Sequence, residues 1–263
     1  MALRAFGVSD RGRVRPANED CFAIHEDLGL CIVADGMGGH NAGEVAARME
    51  VDAVSHDFRL AVRSGLESAC LQPSWPFGFD AKVSHAANVL RTSILQASLR
   101  ILETAVTTDD CAGMGTTVVA ACVVGNRLTV GHVGDSRLYL LSGNTLRLLT
   151  TDDSWMAVML AQEPSVDPLI YRHHPMRHAL TNVVGRRTPM DVHIAEERLS
   201  EGDLLLLTTD GVHGVVEDGR LHELAVRGGE PAAIAESIIE AALAQGTRDN
   251  CTAIVARYYP TNL

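Results

Sequence analysis

The sequence lacks the features that mark membrane-spanning, exported and disordered proteins. Its purely apolar runs are short, such as TVVAACVV at 117–124, whereas about 20 apolar residues are needed to cross a bilayer. The first residues, MALRAFGVSDRGR, reach a charge at Arg4 and build no apolar segment, so we expect no signal peptide. Low-complexity tracts, internal repeats and long linkers are absent. With 46% hydrophobic and 21% charged residues, the chain is expected to be a folded, cytoplasmic protein.

Paired cysteines and several catalytic signatures are missing as well. The six cysteines, at 21, 31, 70, 111, 122 and 251, form no C-x-x-C pair, which favours reduced and mostly buried thiols. No Walker A loop, H-E-x-x-H, G-x-S-x-G or G-x-G-x-x-G occurs in the chain. The sequence therefore gives no sign of a P-loop nucleotidase, a zinc metalloprotease, an α/β-hydrolase or a dinucleotide-binding enzyme.

Positive charge is scarce. The chain has 22 Lys and Arg against 33 Asp and Glu, a formal net charge of 22 − 33 = −11. Because phosphate backbones and acidic lipids attract basic residues, this charge argues against binding to nucleic acid or to an anionic membrane. A small phosphate target stays open, provided that something other than the net field of the protein attracts it.

Hydrophobic periodicity predicts both helices and strands. Apolar residues spaced by three or four predict helices at 42–62, 83–106 and 231–245. Short apolar runs predict strands at 21–25, 28–34, 116–124, 127–133, 136–141, 145–150, 190–198, 203–208 and 251–258. Gly125-Asn126 between two of these strands predicts a hairpin and hence antiparallel pairing. We expect one α+β domain over 1–263, in which two packed, mainly antiparallel sheets are covered by helices.

Acidic residues recur at the ends of the predicted strands. They are Asp35, Asp135 and Asp210, each after an apolar strand, and Glu19, Asp20 and Asp249, each before one. Taken singly, each of them is typical of a turn. If the strand ends meet at one end of the sandwich, however, the clustered carboxylates repel one another and need a counter-charge. Oxygen ligands favour Mg²⁺ or Mn²⁺ over zinc.

Six stretches of the sequence occur in the order that characterises one enzyme family. They are SDRGRVRPANED (9–20), ADGMGGHNAGEVAA (34–47), GMGTT (113–117), GHVGDSR (131–137), LTTDGVHG (207–214) and DNCTAIV (249–255). In these stretches the chain resembles the bacterial form of the PPM (type 2C) metal-dependent serine/threonine protein phosphatases. The resemblance covers nearly the whole chain, and it implies an α-β-β-α sandwich with a metal site at one end.

The resemblance also implies an activity, its cofactors and its partners. Members hydrolyse phosphoserine and phosphothreonine in proteins with a water or hydroxide that bridges two Mn²⁺ or Mg²⁺ ions. Phosphorylated proteins would be the substrates, and a cognate serine/threonine kinase would be the opposing enzyme in signalling. Two other functions stay open, namely a non-catalytic module of the same fold that binds a phosphoprotein, and a phosphatase of a small phosphoester. Every metal-ligand position is filled, which favours an enzyme over the module.

Asp35 has the central role that the resemblance implies. It would bridge the two metal ions, and Asp210 and Asp249 would complete the first of them. Asp135 resembles the residue that joins Asp210 at a third, weaker ion in bacterial members. Two ions about 4 Å apart would lower the pKa of a shared water and place hydroxide in line with phosphorus.

The second ion would take its ligands from the start of the chain. Glu19 or Asp20 would bind it together with the backbone carbonyl of Gly36, and the other acid of the pair would orient metal-bound water. Arg15 matches the phosphate-binding arginine of the family. Its planar guanidinium suits two phosphate oxygens.

Two regions depart from the family pattern or vary within it. Many eukaryotic relatives have His directly after Asp-Gly, where this chain has Met37. The proton donor to the leaving group therefore stays open between His40, which could also simply cap the turn, and metal-bound water. Residues 152–182 correspond to the variable flap that controls substrate access. Within them, His174 and His178 have an i,i+4 spacing that could bind metal on a helix but is more typical of ordinary surface histidines.

Cys251 and Arg257 have the C-x₅-R spacing of cysteine-dependent tyrosine phosphatases. That mechanism needs a low-pKa thiolate and free backbone N–H groups around the phosphate. The residues between the two, TAIVA, are apolar and β-branched, which predicts a strand paired within a sheet. The cysteine mechanism is therefore not expected.

Overall fold

The described part of the chain consists of strands that are covered by helices. A computed structural model describes residues 3–39, 42–65, 75–163, 165–171, 174–186 and 189–260. The strands are β1 (Leu3–Asp10), β2 (Asp20–His25), β3 (Leu30–Met37), β4 (Gly115–Thr116), β5 (Val118–Val124), β6 (Arg127–Val133), β7 (Arg137–Ser142), β8 (Thr145–Leu148), β9 (His193–Arg198), β10 (Leu204–Thr208) and β11 (Cys251–Tyr258). The α-helices are α1 (Ala42–Arg63), α2 (His85–Thr107), α3 (Trp155–Gln162), α4 (Asp210–His213), α5 (Asp218–Val226) and α6 (Pro231–Ala244).

The strands form two sheets. One has the order β1-β11-β10-β7-β8, and the other has the order β2-β3-β5-β6-β9, with β4 paired to the end of β3. Every pairing between these strands is antiparallel. Helices α5 and α6 pack on the first sheet, and α1 and α2 pack on the second. The expected sandwich of two antiparallel sheets between helices is confirmed.

The inner strands β3, β5 and β10 are largely apolar because both of their faces are buried. In β3, Leu30, Ile32 and Ala34 face the α1–α2 layer, whereas Cys31 and Val33 face the opposite sheet. Side chains of a strand alternate between its two faces, so a strand buried on both sides has no polar positions. This explains why short continuous apolar runs, rather than alternating patterns, predicted most of the strands.

The predicted helices are confirmed to within about two residues at either end. Helix α2 begins at His85, and the hydroxyl of Ser84 caps it by accepting a hydrogen bond from the N–H of Ala87 at 3.2 Å. Helix α6 has Pro231 in its first turn, and Gly246 follows its end at a positive φ of 79°. Among the described residues, no helix combines the length and the apolar character that crossing a membrane requires.

Strand β1 and helices α3, α4 and α5 were not predicted. Strand β1 contains Gly7, and the low strand propensity of glycine weakens the prediction of this strand. Glycine is nevertheless needed there, because a Cβ at this position would lie 2.5 Å from the ring of Phe22. Partial exposure along β1 also weakens its pattern. The prediction that β3 ends before Asp35 was wrong, because pairing with β4 extends this strand to Met37.

Candidate active site

A cavity of about 200 Å³ opens where several strands of the two sheets end. It is lined by Arg15, Glu19, Asp35, Gly36, Met37, Gly38, Thr117, Asp135, His178, Leu180, Asp210 and Asp249. The structure thus brings together all of the sequence-predicted site residues except Asp20, which is not among the lining residues, and His40, which lies outside the described residues.

Asp35 is held in place by threonines of the GMGTT stretch. Its backbone N–H donates to Thr117 Oγ1 at 3.0 Å, and its carbonyl oxygen accepts from the N–H of Thr117 and from Thr116 Oγ1, both at 2.9 Å. A further hydrogen bond of 2.8 Å joins Thr117 Oγ1 to Ser136 Oγ. These bonds connect Asp35 to the loop that carries Asp135. Sequence reasoning identified the GMGTT stretch but not this positioning role.

Glycines allow the start of α1 to approach β3 and Glu19. A Cβ at Gly36 would lie 2.1 Å from the carbonyl oxygen of Gly43, and one at Gly43 would lie 2.7 Å from Glu19 Oε1. The N–H of Gly36 donates to the carbonyl oxygen of Glu19 at 3.2 Å. Because any side chain would clash at these two positions, glycine is required for Glu19 to sit in the cavity wall.

Asp20 and Asp210 each have a buried oxygen, Oδ1, that has no hydrogen-bond partner among the described residues. Asp20 pairs with Asp35 across β2 and β3. Its other oxygen, Oδ2, accepts from Thr209 Oγ1 at 2.9 Å and from Thr252 Oγ1 at 2.6 Å. Leaving a buried carboxylate oxygen unpaired costs about 1–3 kcal/mol, so a partner for these oxygens would stabilise the site.

Burial and crowding disfavour the charged form of the carboxylates. Burial raises the pKa of Asp135 to about 8 and the pKa of Asp20 to about 7, and the nearby Asp210 carboxylate contributes to both shifts. The pKa of Asp35 lies well above its usual value, first because of burial and then because of Asp20 and Asp210. Such a cluster holds its negative charge far more readily when a cation lies among the oxygens.

Arg15 and Asp249 form an ion pair at the mouth of the cavity. Nη2 of Arg15 donates to Oδ2 of Asp249 at 2.5 Å, and this contact is the main reason why the pKa of Arg15 is raised. Within the described ranges, no three His, Cys, Asp or Glu side chains already stand as one group that could hold a metal ion. The carboxylates share one cavity, but Asp249 is directed to Arg15.

Asn250 connects the start of β11 to the loop that precedes β2. Its Oδ1 accepts from the N–H of Glu19 at 2.8 Å. Its Nδ2 donates to the carbonyl oxygens of Arg11 at 2.8 Å and Ala17 at 2.9 Å. The asparagine of the DNCTAIV stretch therefore positions the segment that carries Arg15 and Glu19.

Asp153 ties the two ends of the segment 152–182 to the body. Its Oδ2 accepts from the N–H of Gly134 and from Nδ2 of Asn182, both at 2.9 Å. Its own N–H donates to the carbonyl oxygen of Gly134 at 2.9 Å, and its carbonyl oxygen accepts from the N–H of Thr181 at 2.8 Å. The segment between these anchors includes α3 and reaches the cavity.

The two histidines of this segment that the structure describes, His174 and His178, have different surroundings. His178 lines the cavity, whereas His174 stacks on the ring of Trp155 with centroids 4.1 Å apart. Residues 174–178 form turns rather than a helix, so the i,i+4 spacing does not place the two imidazoles on one helical face. The described residues therefore do not form a helical metal site with this spacing, in line with the interpretation as ordinary histidines.

Comparison with known proteins agrees with the geometry of the cavity. Residues 10–227 match the family model described as protein phosphatase 2C. The chain belongs to the protein phosphatase 2C family. The resemblance inferred from the six sequence stretches is thereby confirmed.

Relatives of this protein phosphatase 2C chain include bacterial serine/threonine phosphatases. PstP of Mycobacterium tuberculosis is 34% identical over 257 residues, which cover 97% of this chain and 45% of PstP. Serine/threonine phosphatase stp of Listeria welshimeri is 31% identical over 250 residues, covering 94% of this chain and 92% of stp. A crystal structure of the PstP catalytic domain in complex with two manganese ions matches with a TM-score of 0.76 and 31% identity, covering 97% of this chain and 98% of that one. The chain therefore spans less than half the length of PstP.

The donor set of this protein phosphatase 2C chain fits hard divalent cations. All of the acidic groups that line the cavity offer carboxylate oxygens, which Mg²⁺ and Mn²⁺ prefer. The unpartnered Oδ1 of Asp210 and the raised pKa values of Asp35 and Asp135 show that the cluster lacks compensating positive charge within the described protein. Zinc sites, in contrast, are usually built from Cys and His.

Proposed function

We propose that the protein is a Mn²⁺- or Mg²⁺-dependent phosphatase that hydrolyses phosphoserine and phosphothreonine in proteins. The observation that carries this proposal is one cavity that is lined by five carboxylates and an arginine. The names of PstP and stp, and the two manganese ions in the PstP structure, support it. Every carboxylate that such chemistry requires is present, which favours an enzyme over a non-catalytic binding module.

The ligand assignment that we propose gives Glu19 and Asp20 different roles. Asp35 would bridge two ions, with Asp210 and Asp249 on the first, Glu19 and the carbonyl of Gly36 on the second, and Asp135 beside Asp210 at a third, weaker ion. Two ions held in this way would supply a water of lowered pKa as the nucleophile. Asp20 does not line the cavity and its Oδ2 accepts from two threonines, so it suits a hydrogen bond to metal-bound water better than a metal bond.

Arg15 is proposed to bind the phosphate group of the substrate. Its guanidinium offers two parallel N–H donors that match two phosphate oxygens. It is now paired with Asp249, so a cation that takes up this carboxylate would leave the guanidinium available to phosphate. Metal and phosphate binding at the site would then support each other.

His178 is our candidate for the group that assists the leaving oxygen. A serine or threonine alkoxide is a poor leaving group and needs a proton or a strong hydrogen bond. Met37 occupies the position after Asp-Gly, and among the described lining residues His178 is the imidazole that faces the cavity. His40 lies outside the described residues.

We also propose that 1–263 forms a single phosphatase domain, with 152–182 as a flap beside the site. The anchoring of both ends of this segment by Asp153 supports the flap. The protein would oppose a serine/threonine kinase in cytoplasmic signalling. To test this role, the purified protein is mixed with a lysate whose proteins a serine/threonine kinase has radiolabelled, with and without EDTA. If the lysate proteins keep all of their label under both conditions, the role is contradicted.

Phosphate release tests the proposed activity. An aryl phosphate and a phosphothreonine peptide are each assayed with Mn²⁺, with Mg²⁺ and with EDTA. We expect release from both substrates only with metal, and a loss of at least about 10³-fold in Asp35→Asn because the bridging ligand is weakened. Exposed Asp110→Asn serves as the control and should keep full activity.

Each competing function gives its own result in this assay. A non-catalytic module would bind the peptide without releasing phosphate from either substrate. A phosphatase of small phosphoesters would release phosphate from the aryl compound but not from the peptide. Full activity in EDTA would contradict the metal-dependent mechanism.

A further inference from the structure

A second cavity, of about 410 Å³, opens beside the catalytic one. Its lining residues are Met37, His178, Leu180, Thr181, Val183 and Arg186. The first three of these also line the catalytic cavity, so the two cavities share a wall. A chain whose phosphorylated residue occupies the catalytic cavity would therefore place a neighbouring side chain in the second one.

Arg186 is the one charged residue in the described lining of this second cavity at neutral pH. It is exposed, and no carboxylate of the described residues forms an ion pair with it. Its aliphatic stem passes over Gly115, where a Cβ would lie 2.9 Å from Arg186 Cγ. Gly115 in turn pairs with Met37, which lines the catalytic cavity, so Arg186 lies at the edge of that cavity.

The backbone before Arg186 is anchored to the body of the protein. Val184 and Thr116 exchange two backbone hydrogen bonds of 3.0 and 3.1 Å. The N–H of Gly185 donates to Ser98 Oγ at 2.9 Å, and Gly185 has a positive φ of 82° that favours glycine. Arg186 thus begins from a fixed backbone position, which lowers the entropy lost when it binds a partner.

We propose that Arg186 and the second cavity form a specificity subsite for an anionic side chain that flanks the phosphorylated residue of the substrate protein. This inference rests on the proposed phosphatase function. The cationic Arg186 complements an acidic group, and the apolar Met37, Leu180 and Val183 around the cavity strengthen that attraction by excluding water. A carboxylate of Asp or Glu and the phosphate of a second phosphorylated residue share this chemistry.

Phosphothreonine peptides that differ at one flanking position test the subsite. Each position from four residues before to four residues after the phosphothreonine carries Ala, Glu, Lys or phosphoserine in turn, and kcat/KM is measured with Mn²⁺. The wild-type protein should prefer Glu or phosphoserine over Ala at one or two positions. Arg186→Ala should reduce that preference about threefold and Arg186→Glu about tenfold or more, as expected for loss and reversal of a partly exposed charge pair.

Two controls separate the subsite from the catalytic centre. Hydrolysis of an aryl phosphate, which has no flanking residue, should stay within about twofold in both Arg186 variants. Arg227→Glu changes another exposed arginine without an ion pair among the described residues, beyond α5 on the other sheet. This variant should keep the flanking preference.

The outcomes distinguish the inference from the function on which it rests. A preference that favours only Glu or only phosphoserine identifies the source of the anionic group. An unchanged preference in Arg186→Glu, or an equal loss on aryl phosphate, would overturn the subsite while leaving the phosphatase activity established. No metal-dependent release from any substrate would overturn both.

Discussion

Glu50 is a buried acid outside the site. It lies fully buried on α1, and neither of its carboxylate oxygens has a hydrogen-bond partner among the described residues. Burial raises its pKa well above the usual value, and Asp57 adds to the shift. The folded protein therefore favours the protonated form of Glu50, and stability is lost as pH rises above the pKa of the unfolded chain, near 4.3.

Replacing Glu50 by leucine should stabilise the protein in a pH-dependent way. We expect Glu50→Leu to raise the free energy of unfolding by about 1–3 kcal/mol at pH 8, because a buried polar group that lacks partners is removed. The gain should shrink as pH falls towards 4, where Glu50 is protonated in both states. Urea unfolding between pH 4 and 8 measures it, with the exposed Glu103→Gln on α2 as the control. Parallel pH curves for Glu50→Leu and the wild type would refute this account.

The role proposed for His178 can be tested with substrates that differ in their leaving group. A phenolate leaves readily without a proton, whereas the alkoxide of threonine does not, so only the second needs the imidazole. We expect His178→Gln to lower kcat for a phosphothreonine peptide by about 10²-fold and to change kcat for an aryl phosphate less than about threefold. The comparable change His174→Gln should affect neither substrate, because His174 stacks on Trp155 outside the cavity. Equal losses on both substrates would exclude this role.

At the level of elements, the side chain of Asp153 joins both ends of the flap segment to the body. Asp153 accepts hydrogen bonds from Gly134 on one side and from Asn182 on the other, and Gly134 precedes the proposed ligand Asp135. Removing these bonds should loosen both ends of the segment together, because the two contacts share one oxygen.

The variant Asp153→Ala should make residues 154–181 more accessible to protease. We expect limited proteolysis within this segment to be about tenfold faster than in the wild type, since local opening costs less when the anchors are lost. The exposed Asp109→Asn is a control of similar charge change. Digestion of Asp153→Ala at the wild-type rate would show that other contacts hold the segment.

Among the elements, the meeting of strand ends could be predicted from the sequence, whereas the direction of individual side chains could not. The acidic residues at strand ends could be assigned to one cavity because a sandwich brings alternate strand ends to the same side. Glu19 and Asp20 could not be told apart, because only the folded contacts show that Glu19 lines the cavity whereas Oδ2 of Asp20 accepts hydrogen bonds from Thr209 and Thr252. The position of His178 could likewise not be predicted from the sequence, because a turn segment has no periodicity that would fix the direction of its side chains.

For the molecule as a whole, the charge of −11 is concentrated in part at one cavity. The pKa values of about 7 for Asp20 and about 8 for Asp135 exceed those of unfolded carboxyls. A raised pKa in the folded state means that ionisation costs stability. In the absence of divalent cations, stability should therefore fall as pH rises from about 4 to about 8.

Saturating Mn²⁺ should remove most of this decline. At a metal concentration about 100 times the dissociation constant, we expect about 2.7 kcal/mol of stabilisation, and the gain should grow with pH because ionised carboxylates bind metal better. Thermal unfolding at pH 5, 6.5 and 8 in EDTA or Mn²⁺ measures it. Asp35→Asn should show little gain, and a wild-type gain that is independent of pH would contradict the link between the cluster and the metal.

The pairing of β1 with β11 has a consequence for protein synthesis. These strands run side by side from Leu3↔Tyr258 to Asp10↔Cys251, and Asn250 holds the segment that carries Arg15 and Glu19. Residues made first on the ribosome must therefore wait for those made more than 200 positions later before the cavity can close. At about 5–20 residues per second this delay is at least about ten seconds. A nascent chain would not remove phosphate groups until translation has passed β11.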